Sequence, residues 1–192
     1  MEGLTSMSIV MNTKNGVRVG LGALALIGSL LGSAHDAKAA TVTISDDLES
    51  GGWGFWASNS AQGGGFLTSW SSARSPSTIA YLYYSPSAGS SDWLQFYKAF
   101  TTTVTPTSCS ASVWLRGNGF ANHGSVEMID TASWTYIGTT PYSGVGTAAW
   151  VKYTVNNTYA CTKNITVRVT MGTSPGAWEQ VYVDDASISW NF

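Results

Sequence analysis

Six side chains, spread over four short alternating stretches, combine flat rings with forked polar groups: Trp114 and Arg116, Glu127, Arg168, and Gln180 with Tyr182. A pyranose offers an apolar C–H face and a rim of hydroxyls, so a glycan site needs rings to stack on and planar groups that hydrogen-bond in pairs. These six supply both. A second chemistry is acidic. The run Val181-Tyr182-Val183-Asp184-Asp185-Ala186 sets two carboxylates side by side in a β-forming stretch, where like charges repel and Asp is disfavoured, so a bulge that disturbs the register, or an edge with solvated acids, is expected there. Asp46-Asp47-Leu48-Glu49 forms another acidic cluster far away in sequence. Calcium takes its ligands from such oxygens, and one ion would join the first strand to the last; solvated turn acids are the plainer alternative.

Glycoside hydrolysis would require two carboxylates facing one cleft. Beyond residue 40 the glutamates are Glu49, Glu127 and Glu179, and Glu127 with Asp184 is the pairing that keeps a small secreted hydrolase or lyase open as an alternative. His123 lies in a Gly- and Asn-rich turn, and no nucleophile elbow accompanies it.

What positions these residues is strand parity. Cys109, Ala111, Val113 and Leu115 make one apolar face, turning Ser110, Ser112, Trp114 and Arg116 the other way. Ile165, Val167, Val169 and Met171 point inward and Arg168 outward; Val126 and Met128 inward and Glu127 outward; Val181 and Val183 inward and Tyr182 outward. Similar runs at 78–84, 93–101 and 150–155, separated by Gly, Ser, Asn and Pro, predict an all-β, antiparallel β-sandwich of one domain over residues 40–192. Gly63–Gly65 and Ser85–Ser91 read as loops.

Residues 1–39 read as a secretory signal peptide: Lys14 and Arg18, an uncharged run from Val19 to Ala34, then Ala37-Lys38-Ala39 as the cleavage site. The exported chain would start at Ala40, be extracellular, and be free of the membrane. Without the leader, six Lys or Arg face nine Asp or Glu, a net charge of about −3. No basic stripe is available to neutralise phosphates, which excludes nucleic acid as a partner. In an oxidising compartment Cys109 and Cys161 should pair.

The segments "DLESGGWGFW", "SARSPSTIAYLYY", "CSASVWLRG", "AAWVKYTV" and "VYVDDASIS" resemble the β-jelly-roll carbohydrate-binding modules of families four, nine and twenty-two, which have a galactose-binding-like fold. The resemblance covers nearly all of residues 41–192. It implies a non-catalytic binder of a polysaccharide chain, held in a concave groove on one sheet lined by the six residues above, and a monomer is expected. It also implies a structural calcium on Asp185 and Glu49, with Asp47 and Asp184 nearby and carbonyls of the 71–75 loop completing the shell, and it makes Trp150 a core residue. Trp53, Trp56 and Trp70, in Gly- and Ser-rich segments, offer an alternative rim site. A structural or adhesive extracellular protein is the third class that the sequence allows.

Overall fold

The computed structural model describes residues 8–12, 39–58, 62–69, 71–84, 92–117, 123–146, 149–172 and 179–192. Trp70 and most of residues 1–39 lie outside them. Among the described residues twelve strands form: β1 (Ser8–Asn12), β2 (Thr41–Asp46), β3 (Gly54–Ala57), β4 (Gln62–Leu67), β5 (Ile79–Tyr84), β6 (Trp93–Thr101), β7 (Ser108–Gly117), β8 (His123–Asp130), β9 (Tyr136–Ser143), β10 (Val151–Asn156), β11 (Asn164–Gly172) and β12 (Glu179–Asn191). The fold is an all-β sandwich of two sheets, as parity predicted. Five strands run in the order β3-β6-β11-β8-β9, and the other seven are organised around β12. Among the described residues no helix is long and apolar enough to cross a membrane.

Long β12 is the spine of the seven-stranded sheet. On one side it pairs with β7 from Val181 to Asn191, and β7 in turn pairs with β10. On its other side it pairs first with β5, through Val183, and then with β2, from Ala186 onward. Between these partners lie Asp184 and Asp185, where β12 carries one residue more than β7 and Asp185 takes a φ of 42°. This is a β-bulge. It reverses the parity, so that Val181 and Val183 point inward before it and Ala186, Ile188 and Trp190 after it. The double Asp therefore disturbs the register as its sequence suggests. Beyond β2, β1 adds a parallel edge strand from within residues 1–39.

Between the sheets the inward faces of β7, β8, β11 and β12 close into one core, in which Trp190, Phe96 and Met171 are fully buried. Trp53 stacks on Phe96 at 4.4 Å, and its indole N–H donates to Asp46 at 3.1 Å. Asp46 also accepts from the Leu48 amide, the Ser50 hydroxyl and the Lys98 ammonium, so a single buried carboxylate shapes the turn after β2. The disulfide between Cys109 and Cys161 forms as expected, with Cα atoms 5.9 Å apart.

Three local expectations are corrected. Trp150 is half-buried outside the core, donating its indole N–H to the Ser72 carbonyl at 3.0 Å; among the described residues the core indoles are Trp190 and Trp53. Trp53 is thus unavailable to a rim site. Gly63–Gly65 belong to β4 rather than to a loop, because the rings of neighbouring strands lie against that strand. A Cβ on Gly63 would stand 2.7 Å from Tyr83, and one on Gly64 would stand 2.5 Å from Phe55. The Ser85–Ser91 stretch lies outside the described residues.

Candidate functional site

Strand order divides the six nominated residues. Trp114 and Arg116 on β7 lie beside Gln180 and Tyr182 on β12, with Tyr182 opposite Arg116, on the outer face of the seven-stranded sheet. Glu127 on β8 and Arg168 on β11 are register partners on the outer face of the five-stranded sheet, the opposite side of the sandwich. The single six-residue groove does not form, since β7 and β8, adjacent in sequence, enter different sheets. The same division separates Glu127 from Asp184, so these carboxylates share no cleft. Glu179 is buried and accepts from the Tyr84 hydroxyl at 2.7 Å, away from both outer faces.

The five-stranded sheet carries more than its two nominated residues. Arg168 is the hub of a network crossing four strands: its Nε donates to Glu127 at 2.5 Å, one terminal nitrogen to the Gln95 side chain at 3.3 Å, and the other to the Tyr136 hydroxyl at 3.2 Å. Ser125 donates its hydroxyl to the other Glu127 oxygen at 2.5 Å. Glu127 is only 5% exposed, yet both its oxygens are satisfied, as a buried charge requires.

Rings flank this network. Trp56 on β3 lies opposite Gln95, and Trp93 opens β6 opposite Gly172. Tyr136 and the turn residue Trp134 stand at the far edge, and these four rings are 45–56% exposed. Tyr97 is the register partner of Arg168 and lies over Gly54, where a Cβ would come within 2.8 Å of the ring. From β3 to β9 the face spans roughly 19 Å at ordinary strand spacing.

Sequence reasoning missed Gln95, Tyr97, Trp93, Trp134 and Tyr136, and it assigned Trp56 to a loop rim rather than to strand β3. Parity applied to β6 would have found the first two, since Leu94 and Phe96 alternate with Trp93, Gln95 and Tyr97. Strand β9 was hidden by Gly138 and Pro141, which an edge strand tolerates.

At the acidic junction, Asp184 is fully buried and accepts from the Arg74 and Ser75 amides, the Ser75 hydroxyl and its neighbour's amide. Burial pushes its carboxyl above the usual range, against the pull of those donors. Asp185 turns outward to an ion pair with Arg74, whose guanidinium also sits 3.9 Å from the Trp114 ring centre. Glu49 accepts from the hydroxyls and amides of both Ser77 and Thr78, chiefly the Thr78 hydroxyl, which holds its carboxyl below the usual range. Asp47 caps the Glu49 amide at 3.3 Å. These hard oxygens are of the type calcium takes. Glu49 and Asp185 are engaged by protein donors, and among the described residues no three acidic, His or Cys side chains gather.

No protein-family model and no curated protein matches the chain. Solved structures do match. The chain is similar to TmCBM61 in complex with β-1,4-galactotriose, with a TM-score of 0.52, 13% identity, and coverage of 76% of this chain and 93% of that one. The chain shares the β-sandwich fold of carbohydrate-binding modules. A structure described as explaining the promiscuous specificity of carbohydrate-binding modules of the β-sandwich superfamily gives a TM-score of 0.52 at 15% identity, covering 72% of this chain and 58% of that one. The K2 cleaved adhesin domain of Lys-gingipain gives 0.56 at 15% identity, covering 76% and 98%. The common fold therefore spans sugar-binding and adhesin domains, and the site must decide between them.

Proposed function

We propose that the protein is a secreted, non-catalytic carbohydrate-binding protein whose polysaccharide ligand lies across the outer face of the five-stranded sheet. The observation that carries this reading is the Gln95–Arg168–Glu127–Tyr136 network, held in place by its own hydrogen bonds and flanked by the exposed rings of Trp56, Trp93 and Trp134. Rings stack on C–H faces, while the network's peripheral groups meet hydroxyls without having to be ordered first. An adhesin binding protein surfaces favours a continuous apolar patch, whereas here polar groups lie among the rings. Pull-down of residues 40–192 against a polysaccharide panel, with reducing-sugar release followed in the same tubes, tests the reading. Retention without release supports it; release would make the protein an enzyme.

Export belongs to the same proposal and rests on the leader sequence, with the Cys109–Cys161 bridge suited to an oxidising compartment. Cleavage after Ala39 would remove β1 and leave β2 at the sheet edge. A structural calcium on Glu49, Asp47 and Asp185 is a separate proposal supported by ligand type alone. A chelator-induced fall in melting temperature would support it, and an unchanged value would end it.

A further inference from the structure

The seven-stranded sheet holds a pocket of about 410 Å³ on its outer face, created by the bulge in β12. Because β5 leaves β12 at Val183 and β2 joins it only at Ala186, the sheet has a gap between these two partners. The 71–78 segment bridges the gap, through the Arg74 and Ser75 amides bound to Asp184. The floor is a row of hydroxyls: Ser45 is the register partner of Ser187, which exchanges a hydrogen bond with Ser112 at 2.9 Å. One wall is Trp114 with its cross-strand neighbour Lys152, and Arg74 and Asp185 form another.

We infer that this pocket is a second carbohydrate site, taking a single neutral pyranose such as the end of a glycan chain. Its charges are the reason. Arg74 and Lys152 face Asp47 and Asp185, while Asp46, also in the lining, is neutralised by Lys98. Two cations balanced by two acids favour no charged sugar: an anionic sugar meets the carboxylates and a cationic one meets Arg74 and Lys152. A sugar hydroxyl is donor and acceptor at once, and only such a group uses both kinds of partner together with the serine row. The volume lies near the small end of the range for ligand pockets, roughly 300–1,000 Å³, which fits one or two sugar units rather than a long chain. With the groove on the opposite sheet, the two sites face away from each other, so one molecule would hold a chain on one side and a chain end on the other.

This extends the glycan-binding reading to the other sheet, and separate reporters keep the two apart. In ¹⁵N NMR spectra of the folded protein, the Trp114 indole reports the pocket and the Trp56 and Trp93 indoles report the groove, with Trp114→Phe assigning the first. D-Galactose, D-glucose and D-xylose are titrated singly, and D-galacturonate and D-glucosamine serve as charged comparisons. We expect at least one neutral sugar to shift the Trp114 resonance saturably, and the exposed-site variant Lys152→Ala to weaken that binding about tenfold through loss of a charged hydrogen bond. Three results would overturn the inference: no neutral sugar moves Trp114, only a charged sugar does, or the response is indifferent to Lys152→Ala. Failure of the groove proposal would show instead as silent Trp56 and Trp93 resonances with polysaccharide.

Discussion

The two outer faces of this sandwich solve different problems with similar residues. On the five-stranded sheet the strands are regular at the centre, so side chains two apart along a strand and opposite across strands make an open, flat array in which Arg168 reaches three neighbours. On the seven-stranded sheet a bulge interrupts the spine, and polar groups that would have lined a flat face gather around a pocket. Regular register makes a surface for a chain; broken register makes an enclosure. The difference traces to two residues, Asp184 and Asp185, of which one is buried and tied to backbone amides and the other is turned outward to Arg74.

Perturbations of decreasing size sharpen this comparison. Replacing both Cys109 and Cys161 by Ser opens a loop with a sequence separation of 52. In the chain-entropy view this should cost about 4 kcal/mol in urea unfolding, and it should weaken both faces alike because it acts on the shared frame. Arg168→Ala should cost about 3 kcal/mol, since it leaves the buried Glu127 carboxylate without its cation, and should abolish polysaccharide retention while leaving the Trp114 indole signal in place. Asp185→Ala breaks a partly exposed pair and should lower stability by under about 1 kcal/mol, altering the pocket without touching groove binding.

The smallest change expected is the net effect of mild acid. The carboxyls of Glu49 and Asp130 are held low, mainly by the hydroxyls of Thr78 and Ser133, so their stabilisation is present above about pH 4 and is lost as pH falls through their lower folded values. Asp184 is held high by burial, so protonation relieves a cost as pH falls through its raised value, which comes first. The opposed signs predict a melting temperature that is flat or slightly rising as pH approaches 4 and falling below it. A decline that starts well above pH 5 would contradict this assignment.

The sequence was most legible where a rule is local. Alternation in β7, β8 and β11 identified inward and outward residues correctly, because the period of two is fixed by the pleat and a buried face enforces it. The bulge was legible too, as adjacent acids do not belong in a regular strand. Strand order was not. Nothing in the segment between Gly117 and His123 states that the chain crosses to the other sheet, and that crossing separates Trp114 and Arg116 from Glu127. The glycine strand β4 was invisible for a related reason: its stability lies in the rings of Tyr81, Tyr83 and Phe55 that cover it, not in its own side chains.

The central claim is that the five-stranded face, and not its counterpart, holds the polysaccharide chain. Affinity electrophoresis in a retained polysaccharide, comparing Trp56→Ala/Trp93→Ala with Tyr182→Ala, tests it most directly. The account predicts that the double variant loses retention by at least about tenfold with its unfolding midpoint nearly unchanged, while Tyr182→Ala migrates as the unaltered protein does. Retention that survives in the first and is lost in the second would place the chain on the opposite sheet and contradict the account.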